Sequence, residues 1–153
     1  LSRTELIREA NERDAAAVAN LWTAAYVDEG KGGRTLPYSA ADFFETARRG
    51  RVLVVERDGA LVGVIALSAP GAPGQAVAQA GEAELSRLAV SAAARQEGIG
   101  RALVKRCHEL AHWSRRYQTA AHRLYESLGY QRLPERDRAD DSGHERLVFR
   151  REI

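Results

Sequence analysis

The sequence has no methionine among its 153 residues, one cysteine, four prolines and only 7% aromatic residues. With Cys107 alone, no internal disulfide can form. No apolar run reaches the roughly 18–20 residues of a membrane-spanning helix, so a membrane is not an expected partner. The N-terminus lacks the basic-then-apolar design of a signal peptide, which makes the cytoplasm the expected compartment. An excess of one charge is missing too: 23 Lys and Arg stand against 21 Asp and Glu, a net +2. The sequence pI of 8.9 therefore reflects a few extra arginines and not a basic field, and nucleic acid is not an expected partner. The chain starts at Leu1 without an initiator, so a longer chain is expected.

What is present suits a packed core: 44% of residues are hydrophobic and 29% charged. The length falls within the roughly 100–200 residues of one domain, so residues 1–153 are expected to form one. Residues 4–9 read as a strand, and Asn11 to Asp14 supply capping side chains for a helix whose Val18, Leu21, Trp22 and Ala25 share a stripe. Gly30, Gly32 and Gly33 end that pattern, and Ser39 opens a shorter helix closed by Gly50. Val52 to Glu56 and Ala60 to Leu67 read as a hairpin around Asp58-Gly59, a dipeptide that tolerates positive φ angles. Residues 69–81 (APGAPGQAVAQAG) have no periodicity and almost no charge, which predicts a mobile connection. Glu84 to Val90 follows as a strand, and Gly98 to Ala111 as a helix burying Ile99, Leu103, Cys107 and Leu110. A last helix places Ala121, Leu124, Tyr125 and Leu128 on one face and stops at Gly129. Tyr130 to Leu133 and Glu145 to Arg150 are predicted strands. This order is α/β.

The most informative stretch is Arg95-Gln96-Glu97-Gly98-Ile99-Gly100-Arg101, between a strand and a long helix. A helix's first turn has unpartnered N–H groups and a dipole that favours anions, and glycines let a phosphate approach the backbone. Leu103 stands where a dinucleotide-binding loop has its third small residue, and the Walker Lys-Ser/Thr is absent. On local grounds the stretch is either a phosphate cradle or a glycine-eased helix entry.

The run LSRLAVSAAARQEGIGRALV (85–104) resembles the central motif of the GCN5-related N-acetyltransferase superfamily, Arg/Gln-x-x-Gly-x-Gly/Ala, through Arg95, Gly98 and Gly100. AHRLYESLGY (121–130) resembles the family's second hallmark, a helix with Ala-x-x-Leu-Tyr-Glu followed by Gly and an aromatic residue. The resemblance covers nearly the whole chain. It implies a single α/β domain with a central, mostly antiparallel mixed sheet flanked by helices and splayed at the cofactor site. It also implies acetyl transfer from acetyl-coenzyme A to a primary amine of a small molecule or peptide, by direct attack through a tetrahedral intermediate and without a metal. The backbone of Gln96, Glu97, Gly98, Ile99, Gly100 and Arg101, after Arg95, would hold the pyrophosphate. Leu88, Ala89 and Val90 would pair with pantetheine as with an added strand, an amide near Leu88 stabilising the oxyanion. Gln118, where relatives often carry Asn, would hydrogen-bond pantetheine. A homodimer is compatible with the resemblance.

Tyr125 aligns with the family tyrosine that protonates the departing thiolate. A phenol, with a pKa of about 10, stays protonated at neutral pH and can donate to a thiolate of pKa ~8.5. The other reading of Tyr125 is a continuation of the apolar stripe. Glu84 stands where relatives keep a general base, with Glu82 one strand repeat away; either is otherwise a solvated edge residue. Cys107, on an apolar helix face, reads as a core residue. The arginines of QRLPERDR (131–138) line an acceptor or a solvated surface. A non-catalytic coenzyme A sensor is the alternative from another class.

His108-Glu109-Leu110-Ala111-His112 matches the zinc-peptidase pattern H-E-x-x-H, but Arg115 and Gln118 replace the Gly and third His of its longer form. A zinc hydrolase is thus a further alternative. In the acetyltransferase family a buried strand separates the long helix from the tyrosine helix, and here Ala111 is followed almost at once by HWSRRYQT, which reads like the end of that strand and the loop beyond it. The comparison predicts that residues are absent between Leu110 and Tyr117, most simply after Ala111, and that the H-E-x-x-H match spans that junction.

Overall fold

The computed structural model describes residues 5–27, 36–110, 116–119, 123–139 and 145–152. Strand β1 (Glu5–Glu9) leads into helices α1 (Ala15–Tyr26) and α2 (Ala40–Arg49). The strands β2 (Gly50–Arg57), β3 (Ala60–Ser68) and β4 (Ala83–Val90) follow, then α3 (Ile99–Leu110), β5 (Arg116–Thr119) and α4 (Arg123–Ser127). The chain continues through β6 (Gln131–Arg132), β7 (Arg138–Ala139), β8 (Glu145–Arg146) and β9 (Phe149–Glu152). Seven strands form one sheet in the order β1-β2-β3-β4-β5-β9-β6, and β7 pairs with β8 apart from it. Within the large sheet β4 and β5 run parallel, and the other neighbours are antiparallel.

Local chemistry explains most boundaries. Asn11 and Asp14 form a capping box before α1, and Ser39 and Asp42 form another before α2. Asp14 also accepts two hydrogen bonds from the Arg8 guanidinium, at 2.7 and 2.9 Å, tying β1 to the helix start. Asp58 and Gly59 have φ of 50° and 81°, left-handed at both positions as a type I′ turn requires. The residues Arg57 and Ala60 therefore face each other.

Alternation along β2 divides the core into two layers. Val52 and Val54 pack with Val18, Trp22 and Phe43 of α1 and α2. Leu53 and Val55 point the other way, toward Ile99, Leu103, Val104 and Cys107 of α3. A side chain at Gly63 of β3 would come within 2.7 Å of Ile99 Cγ2, so a glycine there lets α3 lie close on the sheet. Each large side chain buried this way contributes about 1.5–3 kcal/mol.

Two expectations change. The buried stripe of α1 is Ala15, Val18, Ala19 and Trp22, one step back from the reading that included Leu21 and Ala25. Ala25 is exposed, while Trp22 is fully buried and donates its indole N–H to the Arg87 carbonyl at 2.9 Å. The strand predicted over Glu145 to Arg150 splits into β8 and β9, since the Val148 N–H goes sideways to Asp137 at 2.9 Å. Within HWSRRYQT, read as the end of the family's buried strand, Arg116–Thr119 form β5, paired in parallel with β4. The predicted gap after Ala111, together with His112 of the H-E-x-x-H match, lies outside the described residues.

The C-terminal part of α3 is fastened through His108. Arg151 donates to its Nδ1 at 3.1 Å, and its Nε2 lies 2.8 Å from the Tyr130 hydroxyl. Because a guanidinium only donates, Nδ1 accepts and the proton sits on Nε2. Burial, with Arg151 nearby, pushes the imidazole pKa down to about 4 from 6.5. The folded chain thus excludes a proton that the unfolded chain binds between these values. Stability from this group is present above about pH 6.5 and is lost as pH falls toward 4. Urea midpoints measured from pH 7 to 4 are expected to fall less steeply for His108→Gln than for the wild type; equal slopes would contradict this origin.

Candidate functional site

The site is built around a defect in β4. Ser86 faces Ala66 and Ala89 faces Val64, so Arg87 and Leu88 together oppose Ile65, a β-bulge. Arg87 has φ of 52°. For a non-glycine residue that conformation costs about 1–2 kcal/mol. Compensating contacts are visible: the guanidinium lies 5.1 Å from the Trp22 ring centre and 5.3 Å from that of Tyr38, and it donates to Thr46 Oγ1 at 2.6 Å. The sheet opens past Glu84. Among the described residues strand β5 pairs with β4 at Ala83↔Tyr117 and Glu84↔Gln118, while β4 runs on through the bulge to Val90. This is the splay that the sequence reading expected, and it lies beside Leu88, Ala89 and Val90.

The loop after β4 carries backbone of alternating handedness into α3. Gln96 has φ of 64° and Gly98 φ of 83°. Such alternation turns successive N–H groups to one side, a concavity for anions, and the twelve-residue α3 adds the positive end of its dipole. A Cβ at Gly98 would meet nothing within 4 Å, so the space above it is open, and its φ favours glycine. Ile99 is 1% exposed and anchors the helix in the core, so only its backbone can serve a ligand. Arg95 is exposed and reaches back to the Val90 carbonyl at 3.4 Å. Glu97, of the wrong sign for an anion site, is ion-paired with Arg57, which also holds Glu5. Arg101 reaches Ser127 Oγ at 3.5 Å. A side chain at Gly100 would touch Leu124, Leu88 and Val90, so α4 and the splayed part of β4 both approach the first turn of α3. An anion cradle next to an opened strand edge fits the phosphates and amide-bearing arm of a coenzyme A molecule.

Tyr125 is 1% exposed, its ring 5.2 Å from that of Tyr130 and 6.4 Å from that of Phe149. It joins the core with Leu85, Ile99 and Leu103, which is the apolar-stripe reading; its neighbour Leu124 faces the cradle. Gln118 lies on β5, and its side chain is outside the described residues. Cys107 is fully buried in the core, where desolvation pushes its thiol up to about 12.

Glu84 departs from expectation. Its carboxylate accepts N–H bonds from Ala76 at 3.1 Å, Val77 at 2.8 Å and Ala78 at 2.9 Å. Both oxygens accept backbone N–H bonds, so Glu84 anchors the loop at the position where the resemblance expects a general base. Glu82, 1% exposed, is no solvated edge residue either. It accepts from Gln79 N–H at 2.9 Å and from both terminal nitrogens of Arg136 at 3.1 and 2.9 Å. Arg136 also donates to the Val77 carbonyl at 3.1 Å. The connection 69–81, expected to be mobile, is thereby gathered around two carboxylates, because a buried charge must collect donors. The arginines of 131–138 correct in the same way: Arg136 pairs with Glu82 and Arg132 with Asp137, so neither is bare surface. In the H-E-x-x-H match, both nitrogens of His108 are engaged, and Glu109 pairs with Arg106. His108 offers a zinc ion no open ligand atom.

Sequence reasoning missed Arg87, Trp22, Tyr38 and the Arg57–Glu97 pair. One signal was available: Trp22, read only as a core residue, has an indole N–H that needs an acceptor when buried.

With the geometry established, kinship can be stated. The family description "Acetyltransferase (GNAT) domain" matches residues 48–132, more than half of the chain, and the chain belongs to this family. Among solved structures it is similar to the ribosomal-protein-alanine N-acetyltransferase of Brucella melitensis, with 23% identity, TM-score 0.72, and 97% of this chain and 99% of that chain covered. It is also similar to the ribosomal-protein-S18-alanine N-acetyltransferase of Escherichia coli, with 17% identity, TM-score 0.70, and coverage of 97% and 94%. The yncA protein of Salmonella typhimurium, solved with its cofactor acetyl-CoA, has 20% identity, TM-score 0.72, and coverage of 99% and 94%. At these identities the likeness is one of fold. No curated protein matches the chain.

The anchor role of Glu84 has a direct check. Glu84→Gln is expected to lower Tm by several degrees, since a charge-assisted acceptor is worth about 1.5–3 kcal/mol. Any transfer activity should keep the acidic limb of its pH profile. An unchanged Tm with loss of that limb would restore Glu84 as the base.

Proposed function

We propose that the chain transfers an acetyl group from acetyl-coenzyme A to a primary amine of a small molecule or peptide, by direct attack of the amine. The observation that carries this reading is the pairing of the opened β4 edge with the anion cradle of residues 95–101. Acetyl-coenzyme A would supply an acyl group already activated as a thioester. The chain's part is to hold and orient: N–H groups of Gln96 to Arg101 toward the pyrophosphate, and the backbone of Leu88, Ala89 and Val90 along pantetheine, with Gln118 across from it. Tyr125 is proposed to protonate the leaving thiolate. The resemblance to ribosomal-protein-alanine acetyltransferases makes peptide α-amines the first acceptors to try. One domain over residues 1–153, a cytoplasmic location and a homodimer complete the reading. Among the described residues no helix is long and apolar enough to cross a membrane.

The second reading, a coenzyme A sensor without transfer chemistry, is favoured by two observations: Tyr125 is enclosed in the core, and Glu84 is spent on the loop. Tyr125→Phe separates them in a free-thiol release assay over a panel of amines, peptides and aminoglycosides. The transferase reading predicts wild-type turnover and a fall of about 10²-fold or more in kcat for the variant, with acetyl-coenzyme A affinity kept. Turnover unchanged by the substitution would remove Tyr125 from the mechanism, and tight binding without turnover on any acceptor would favour the sensor.

A further inference from the structure

Two consecutive carbonyls at the bulge are taken by two side chains of α1. Trp22 Nε1–H donates to the Arg87 carbonyl at 2.9 Å, and the Tyr26 hydroxyl donates to the Leu88 carbonyl at 2.5 Å. The two donors are four residues apart, one above the other on the same helix face. We infer that Trp22 and Tyr26 are positioning residues that fix the two peptide planes flanking Leu88 and so the direction of its N–H group, and through it the polarisation of a bound acyl thioester. This rests on the acetyl-coenzyme A reading given above and goes beyond it by assigning a task to α1.

A peptide unit is planar and trans, so its C=O and N–H point in opposite directions. Holding the Arg87 carbonyl toward α1 turns the Leu88 N–H away from α1, and holding the Leu88 carbonyl fixes the next peptide plane, whose Ala89 N–H lies in the ladder opposite Val64. Regular ladder pairing normally sets such directions, but a bulge disrupts the ladder at its two residues. Here side-chain donors take over that task. Both are suited to it: Trp22 is fully buried, so its indole N–H has no water to compete for it, and an indole nitrogen only donates. The Tyr26 hydroxyl, pushed up to about 12 by burial, keeps its proton throughout the neutral range. Arg87 adds a second brace, its guanidinium lying over the same Trp22 ring whose N–H holds its carbonyl. Tyr26, 38% exposed, can lose its hydroxyl without opening the core.

Tyr26→Phe tests the inference with acetyl-coenzyme A labelled with ¹³C at the acetyl carbonyl. Infrared difference spectra should show the thioester carbonyl band at lower frequency when bound to the wild type, and shifted back toward its unbound position in the variant. Titration calorimetry should give a dissociation constant within about twofold of wild type. On an acceptor that turns over, kcat should fall about tenfold or more at constant KM for acetyl-coenzyme A. Trp22→Phe should move the band in the same direction. An identical band in wild type and Tyr26→Phe overturns the inference, as does a variant that loses affinity and Tm while the band stays put. A wild type that binds acetyl-coenzyme A and shifts its band but acetylates no amine defeats the transferase reading alone. A wild type that binds no acetyl-coenzyme A overturns both.

Discussion

A strand inside a sheet must satisfy backbone N–H and C=O groups along two edges, because each buried unpaired group costs about as much as a lost hydrogen bond. In this protein β4 meets that demand with β3 on one side, while on the other, among the described residues, β5 accompanies it at Ala83 and Glu84. The edge from there to Val90 asks for a partner of strand-like shape, rich in amides and carbonyls. Most other features of the molecule follow from that opening. Helix α3 starts just beyond it, α4 approaches through Leu124, and α1 reaches the bulge from the opposite face through Trp22 and Tyr26.

Charge is distributed to keep that opening in shape. At one end of β4, Glu82 and Glu84 gather the amides of residues 76–79 and the guanidinium of Arg136, so the long connection from β3 and the 134–136 turn are drawn to the same place. At the other end the cradle is a field of backbone dipoles, and the one carboxylate within it, Glu97, is paired with Arg57 at the tip of the β2–β3 hairpin. Buried carboxylates thus serve the frame, and the concavity before α3 is left to N–H groups, whose direction the backbone sets.

Much of the frame was legible in the residues. Capping boxes, the Asp58-Gly59 turn and the apolar face of α3 are local or periodic signals, and they emerge close to where the sequence predicts them. The cradle was legible for the same reason, since Gly98 before a helix is a local requirement. Long-range compensation was not legible. Nothing near Glu84 in sequence says that its carboxylate will meet the amides of 76–78, and the polar, glycine-rich look of 69–81 pointed to mobility. Strand β5 was legible only by comparison with the family, because four residues are too few to show a period. The bulge carries no glycine at all: Arg87 adopts its left-handed conformation because Trp22, Tyr38 and Thr46, distant in sequence, hold it.

The central claim is that the opened edge of β4 and the cradle before α3 are one binding surface for coenzyme A. Amide hydrogen exchange followed by mass spectrometry, with and without coenzyme A, tests it most directly. The account predicts that added ligand slows exchange together in Leu88 to Val90 and in Gln96 to Arg101, with β1 and the hairpin tip at Asp58-Gly59 unchanged. Protection of the cradle alone, or of neither segment, would contradict it.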